Sequence, residues 1–181
     1  MRIALLGGTG DIGEGLALRW AFDTSHEILV GSRDPEKART KAEEYNTELD
    51  SRGVDAEVKG FDNAMAADRA NVVVLAVPPY HVGDTVDAVA DGLDEGDVLV
   101  SPAAGITRDD EGFHAHPPSA GSVTKIAADA APDGVPVVGA FHNLAAGRLA
   151  NLDAELGIDT LLVADDDDAK GLVADLAEEI V

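Results

Sequence analysis

Apolar residues in this chain fall into short runs of strand length, and between those runs the spacing changes to that of helices. Arg2–Leu6 (RIALL) is such a run, and it ends in Gly7-Gly8-Thr9-Gly10, which predicts a buried strand entering a tight turn. Ile12, Leu16, Ala17, Trp20 and Ala21 then share one face of a predicted helix. Glu27–Val30 is the next strand, closed by Gly31-Ser32-Arg33. Pro35 occupies a first helical position, and a helix follows through Lys37, Ala38, Ala42 and Tyr45. A short strand is predicted at Ala56–Val58 and a short helix at Asn63–Asp68. Asn71–Val77 (NVVVLAV) is the strongest β-branched run and is stopped by Pro78-Pro79.

The alternation continues to the end. A helix at His81–Gly92 leads to a strand at Asp97–Ser101 and then a Gly/Pro/His-rich loop, Pro102–Pro118. A helix is expected at Ser119–Ala131, a strand at Val135–Gly139 and a helical piece at Ala145–Leu149. A strand at Thr160–Ala164 and a helix at Asp167–Ile180 close the pattern. Near-continuous apolar strands separated by helices indicate a mostly parallel sheet covered on both faces, a doubly wound α/β fold in a single domain, residues 1–181. The Pro102–Pro118 loop is long for a compact domain and suggests a binding role.

Composition narrows the class. The 181 residues carry 13 Lys+Arg against 35 Asp+Glu, a formal charge of −22, so nucleic acid and anionic membranes are unsuitable partners. The acids are dispersed along the chain, and self-repulsion on this scale is best tolerated where salt screens it, to about 3 Å at molar concentration. The expected source is therefore an extreme halophile, archaeal in kind. The 45% apolar content argues against disorder, and the absence of cysteine removes disulfides, zinc thiolates and thiol nucleophiles. With no leader-like segment and no apolar run near the roughly 20 residues that span a bilayer, a cytoplasmic location is expected.

Chemistry concentrates at the first turn. Gly8-x-Gly10-x-x-Gly13 lies between a predicted strand and a predicted helix. There the first glycine permits the turn, the second lets backbone approach a pyrophosphate, and the third lets helix and strand pack closely. Glu14 stands where a Walker-A loop would need Lys. The pattern predicts a Rossmann-type dinucleotide fold. At the end of the second strand an NAD site would place an acid for the ribose hydroxyl. Ser32-Arg33, with Lys37 one helical turn on, suits a 2′-phosphate instead and favours NADP(H). Asp34 leaves two readings open, a ribose ligand or a cap on the next helix.

These residues resemble the NADPH-dependent coenzyme F420 reductases (F420H2:NADP oxidoreductases). The similarity runs through Ile3–Arg19 and Val30-Gly-Ser-Arg33, then Val77-Pro78-x-x-His81, Val100-Ser-Pro102 and Ala140-x-His142. It continues through Ala145–Asp153 and Asp165–Asp168 and so covers essentially the whole chain. The resemblance implies hydride transfer between NADP(H) and the deazaflavin coenzyme F420. It places Thr9, Gly10, Asp11 and Ile12 at the pyrophosphate, and Ser32, Arg33 and Lys37 at the 2′-phosphate. Val77, Pro78 and His81 would line the ribose and nicotinamide, and His142 would approach the deazaflavin. It also implies a homodimer and a further C-terminal segment with deazaflavin contacts, which this sequence, ending at Val181, does not include.

Such chemistry needs no acid–base pair, because the cofactors carry it and the protein supplies juxtaposition and a dry pocket. Two other functions fit the same fold: an imine or pyrroline-carboxylate type reductase, which needs a large helical domain after it, and a non-catalytic NADP(H)-sensing module. His114-x-His116 lacks an evident third ligand, so no metal is expected. Asp165–Asp168 reads as a helix cap, and Trp20 as core.

Overall fold

The computed structural model describes residues 1–180. Strand β1 (Arg2–Leu6) leads into α1 (Asp11–Asp23), β2 (Glu27–Ser32) into α2 (Pro35–Ser51), and β3 (Val58–Asp62) into α3 (Asn63–Ala67). Then come β4 (Val72–Leu75), a 3-10 turn at Pro79–His81, α4 (Val82–Val89) and β5 (Val98–Ser101). A hairpin follows, β6 (Ile106–Asp109) and β7 (Gly112–Ala115), then α5 (Val123–Ala130), β8 (Val137–Gly139), α6 (Ala146–Leu149) and α7 (Asp167–Glu178). Six strands form one parallel sheet in the order β3-β2-β1-β4-β5-β8. Chain order reverses between β1 and β4, and an open sheet of this kind has its ligand crevice at that point, beyond the carboxyl ends of the strands.

The apolar runs are continuous because both faces of the sheet are covered. Ile3, Leu5, Val72 and Val74 pack with Leu16, Trp20 and Val173 on one side, while Ala4, Leu6, Val73 and Leu75 pack with Ala66, Val86 and Ala127 on the other. Trp20 is fully buried, as its helical pattern predicts, with Nε1 donating to the Leu176 carbonyl at 3.0 Å. Asp166 caps α7 by accepting from the Ala169 amide, in line with the capping reading of the acidic run.

Three expectations need correction. The strand placed at Ala56–Val58 lies at Val58–Asp62, where Gly60 interrupts the apolar signal. Glycine is required there because a Cβ would come within 2.4 Å of the α2 backbone at Ala38 and Arg39. The loop Pro102–Pro118 contains the antiparallel β6–β7 hairpin, whose residues are almost all exposed and so show no alternation of polar and apolar positions. Thr160–Ala164 forms no strand. Val163 alone makes an antiparallel bridge to Gly139, through bonds of 2.8 and 2.9 Å, while Leu161 and Val163 face outward.

The Ala145–Asp153 stretch has a structural basis. Arg19, 3% exposed on α1, donates to the carbonyls of Arg148, Leu149, Asn151 and Ala154 at 3.3, 3.2, 2.5 and 3.1 Å. One buried guanidinium thereby satisfies the last carbonyls of α6 and the turn after it, and ties that segment to α1.

Candidate functional site

The turn after β1 is held against both neighbouring strands. The Gly7 and Gly8 amides converge on the Gly31 carbonyl at 3.0 and 3.2 Å. Gly7 adopts φ +79°, and a Cβ there would meet the Ala76 carbonyl oxygen at 2.5 Å. The ends of β1, β2 and β4 are thus drawn into one crevice, and α1 begins at its floor with its first amides free of helical partners.

That crevice is a cavity of about 390 Å³. Gly7, Thr9 and Gly10 line it from the turn, and Ser32, Arg33 and Lys37 from the end of β2. Ala76, Val77, Pro78 and His81 line it after β4, and Asp84, Thr85 and Ala88 from α4. Ser32 Oγ accepts from the Asp34 amide at 3.1 Å, which leaves its own proton free to donate. Arg33 and Lys37 are exposed and, among the described residues, neither side chain has an ion-pair or hydrogen-bond partner. In a chain with 35 acids, two neighbouring cations without carboxylates form a prepared anion site.

The structure decides between the two readings of Asp34. Its carboxylate accepts from the Glu36 and Lys37 amides at 3.0 and 3.3 Å, so it caps α2 and does not line the cavity. The only acid in the lining is Asp84, on α4 and not at the end of β2. This donor set fits a 2′-phosphorylated dinucleotide better than one with a free ribose hydroxyl.

A second, apolar cavity of about 600 Å³ adjoins the first and shares Gly10, Ala76, Val77 and Pro78 with it. Asp11, Ile12, Pro79, Pro102 and Ala103 line it, and the hairpin contributes Ile106 and Phe113. Asp11 and Ile12, expected at the pyrophosphate, therefore face this second cavity. Gly8 and Gly13 are buried behind the turn, where Gly13 lets α1 approach Gly8.

His142 does not join either cavity. It lines a third, of about 220 Å³, with Ser122, Thr124 and Pro118, which meets the apolar one through Ala103 and Ala104. Burial lowers its pKa below the usual imidazole value, which favours the neutral ring. His142 follows Phe141, a non-glycine residue at φ +64° that is held against Trp20 with ring centroids 5.5 Å apart. His114 pairs with Asp109 across the hairpin at 2.9 Å.

Asn63 is a lining residue that the sequence reading missed. Its Oδ1 is buried without a donor, against the position a Gly31 Cβ would occupy. Asn63 directly follows β3, so placing that strand at Val58–Asp62 would have put it beside Ser32 at the carboxyl edge.

Fold, glycine turn and donor set together define a Rossmann-type dinucleotide-binding protein. Residues 2–105 match the family model described as NADP oxidoreductase coenzyme F420-dependent. The chain is 37% identical to the F420-dependent NADP reductase of Methanocaldococcus jannaschii, over 99% of this chain and 80% of that protein. It is 38% identical to the reductase of the same name from Methanothermobacter marburgensis, with the same coverage. The chain belongs to the coenzyme F420-dependent NADP oxidoreductase family. Among solved structures, a reductase from Arthrobacter sp. FB24 superposes with TM-score 0.75 at 24% identity, covering 98% of this chain and 80% of that one. A Plasmodium falciparum pyrroline carboxylate reductase with NADP bound gives 0.64 at 14% identity, covering 99% and 55%. At those identities the two structures speak to the fold alone.

Proposed function

We propose that this protein transfers a hydride between NADP(H) and the deazaflavin coenzyme F420. The observation that carries the reading is the pair of adjoining cavities. One has unpaired cations placed for a 2′-phosphate, the other is apolar, and they share the wall Gly10/Ala76–Pro78. The relatives from Methanocaldococcus jannaschii and Methanothermobacter marburgensis carry the matching name.

When both are bound, the nicotinamide and the deazaflavin exchange two electrons as a hydride, and the chain has only to hold them together. Ser32, Arg33 and Lys37 would hold the 2′-phosphate, and the turn at Gly7, Thr9 and Gly10 would take the pyrophosphate. Val77 and Pro78, common to both cavities, would form the wall beside which the two bound molecules are brought together. Ile12 and Ala103, with the exposed Ile106 and Phe113 of the hairpin, offer apolar surface against which a bound ring system would be shielded from water. His142 lies in the third cavity, where burial favours its neutral ring, and hydride transfer between the two bound molecules asks for no proton from it.

The direct test mixes the protein with NADPH and oxidised coenzyme F420 in multimolar salt and follows the loss of deazaflavin absorbance. Bleaching with NADPH, and much less with NADH, is the expected result. Saturable NADPH binding without bleaching would remove the acceptor assignment, and the lack of transfer to any deazaflavin or flavin acceptor would favour a nucleotide-sensing module.

The working environment we propose is the salt-rich cytoplasm of an extreme halophile. With 35 acids and 13 cations, 22 carboxylates lack a cation under any pairing. Their repulsion destabilises the compact state until salt screens it. The thermal midpoint is expected to rise steadily between 0.1 and 3 M KCl, and unchanged stability at low salt would refute this reading. No helix among the described residues is long and apolar enough to cross a membrane.

A further inference from the structure

The glycine turn must hold its amides open for a phosphate before one arrives, and the amide of Gly8 is already tied to the Leu5 and Gly31 carbonyls while its own carbonyl points elsewhere. Tyr45 reaches it from the buried face of α2. The side chain is 2% exposed, and its hydroxyl lies 2.9 Å from the Gly8 carbonyl oxygen. Glu14 Oε2 is 3.4 Å from the same hydroxyl, and Lys41 Nζ is 3.6 Å from that carboxylate. Burial, and then the charge of Glu14, push the hydroxyl well above the usual phenol range, so it remains protonated. A phenol has one proton to donate, and the shorter distance gives it to Gly8.

The consequence follows from peptide geometry. The Gly8–Thr9 peptide is planar and trans, so its carbonyl and its N–H point in opposite directions. A carbonyl pinned toward α2 turns the Thr9 N–H away from α2. Thr9 lines the nucleotide cavity, and its amide has no acceptor among the described residues. Glycine places little restraint of its own on that plane.

We propose that Tyr45 is a positioning residue for the NADP(H) pyrophosphate: its bond to the Gly8 carbonyl fixes the Gly8–Thr9 peptide so that the Thr9 amide faces the cavity in advance. The proposal rests on the NADP(H) reading above. It assigns the Tyr45 hydroxyl a role in binding and none in the hydride step.

Tyr45→Phe keeps the ring in the core and removes only the hydroxyl. The expected result is a rise of about 5- to 30-fold in both the NADPH dissociation constant and KM, with kcat and the KM for coenzyme F420 unchanged. The NADPH-over-NADH preference is also unchanged, because the pyrophosphate is common to both. Glu14→Gln leaves the hydroxyl–Gly8 bond in place and stays within about twofold of the wild type. A lowered thermal midpoint in Tyr45→Phe with an unchanged KM would make the bond merely structural and overturn the proposal. An equal rise in KM for Glu14→Gln would move the effect to the carboxylate and overturn it too. A wild-type protein that binds no NADPH would instead defeat the underlying cofactor reading, so the two failures are separable.

Discussion

Arg33→Ala is expected to weaken NADPH binding about 10- to 150-fold while leaving NADH binding and fold stability nearly untouched. Charge-assisted hydrogen bonds are worth about 1.5–3 kcal/mol each, which sets that range. Arg33 is exposed, with no partner among the described residues, so its removal orphans nothing in the protein. The cost appears only when a 2′-phosphate is present. Arg33→Lys retains the charge but not the planar fork, and should recover part of the affinity. Titration of NADPH fluorescence for the two variants, with NADH as the control, measures the effect. An unchanged NADPH affinity in Arg33→Ala would remove the 2′-phosphate assignment. So would equal losses for the two nucleotides.

Arg33 was legible because its meaning depends on chemistry next to an apolar strand. β1, β2 and β4 are buried on both faces, so the sequence shows them as unbroken apolar runs, and whatever follows each run stands at the carboxyl edge. The glycine turn, Ser32-Arg33 and Val77-Pro78 all stand at that edge and line the crevice. Asn63 was missed because β3 is an edge strand diluted by Lys59 and Gly60, so its end was misplaced. The hairpin was invisible for a related reason. A two-stranded ribbon with both faces in solvent carries no burial pattern, although it supplies Ile106 and Phe113 to the apolar cavity.

Hydrogen bonds between distant segments leave no periodic trace. Arg19 reads as one more polar position on an amphipathic helix, yet it holds a segment 130 residues further along. Tyr45 reads as core, and its hydroxyl contact with Gly8 lies 37 residues away in sequence. His142 follows an apolar strand, as a site residue should. The left-handed turn at Phe141 redirects the chain there, and the imidazole opens on the third cavity instead of the first.

Gly13→Ala should damage both the fold and the nucleotide site through a single added methyl. A Cβ at this position would lie 2.5 Å from Gly8 Cα, 2.8 Å from the Gly7 carbonyl oxygen and 3.0 Å from the Gly8 carbonyl carbon. All three neighbours are backbone, so no side chain can rotate away, and α1 must separate from the turn. Overpacking of this kind costs about 1–3 kcal/mol. For a domain of this size that corresponds to a fall of roughly 2–12 °C in the thermal midpoint. The binding loss is larger, because the displaced turn carries the amides meant for the pyrophosphate. NADPH and NADH should both weaken by about two orders of magnitude or more, unlike the selective loss in Arg33→Ala. The same methyl at Gly171, inside α7 with nothing within 4 Å, should instead stabilise the fold by about 0.5–1 kcal/mol and leave binding alone. Thermal melts and cofactor titrations of the two variants in one salt series test the contrast. A Gly13→Ala protein that binds NADPH normally would mean that the close approach of helix and turn is not what shapes the phosphate site.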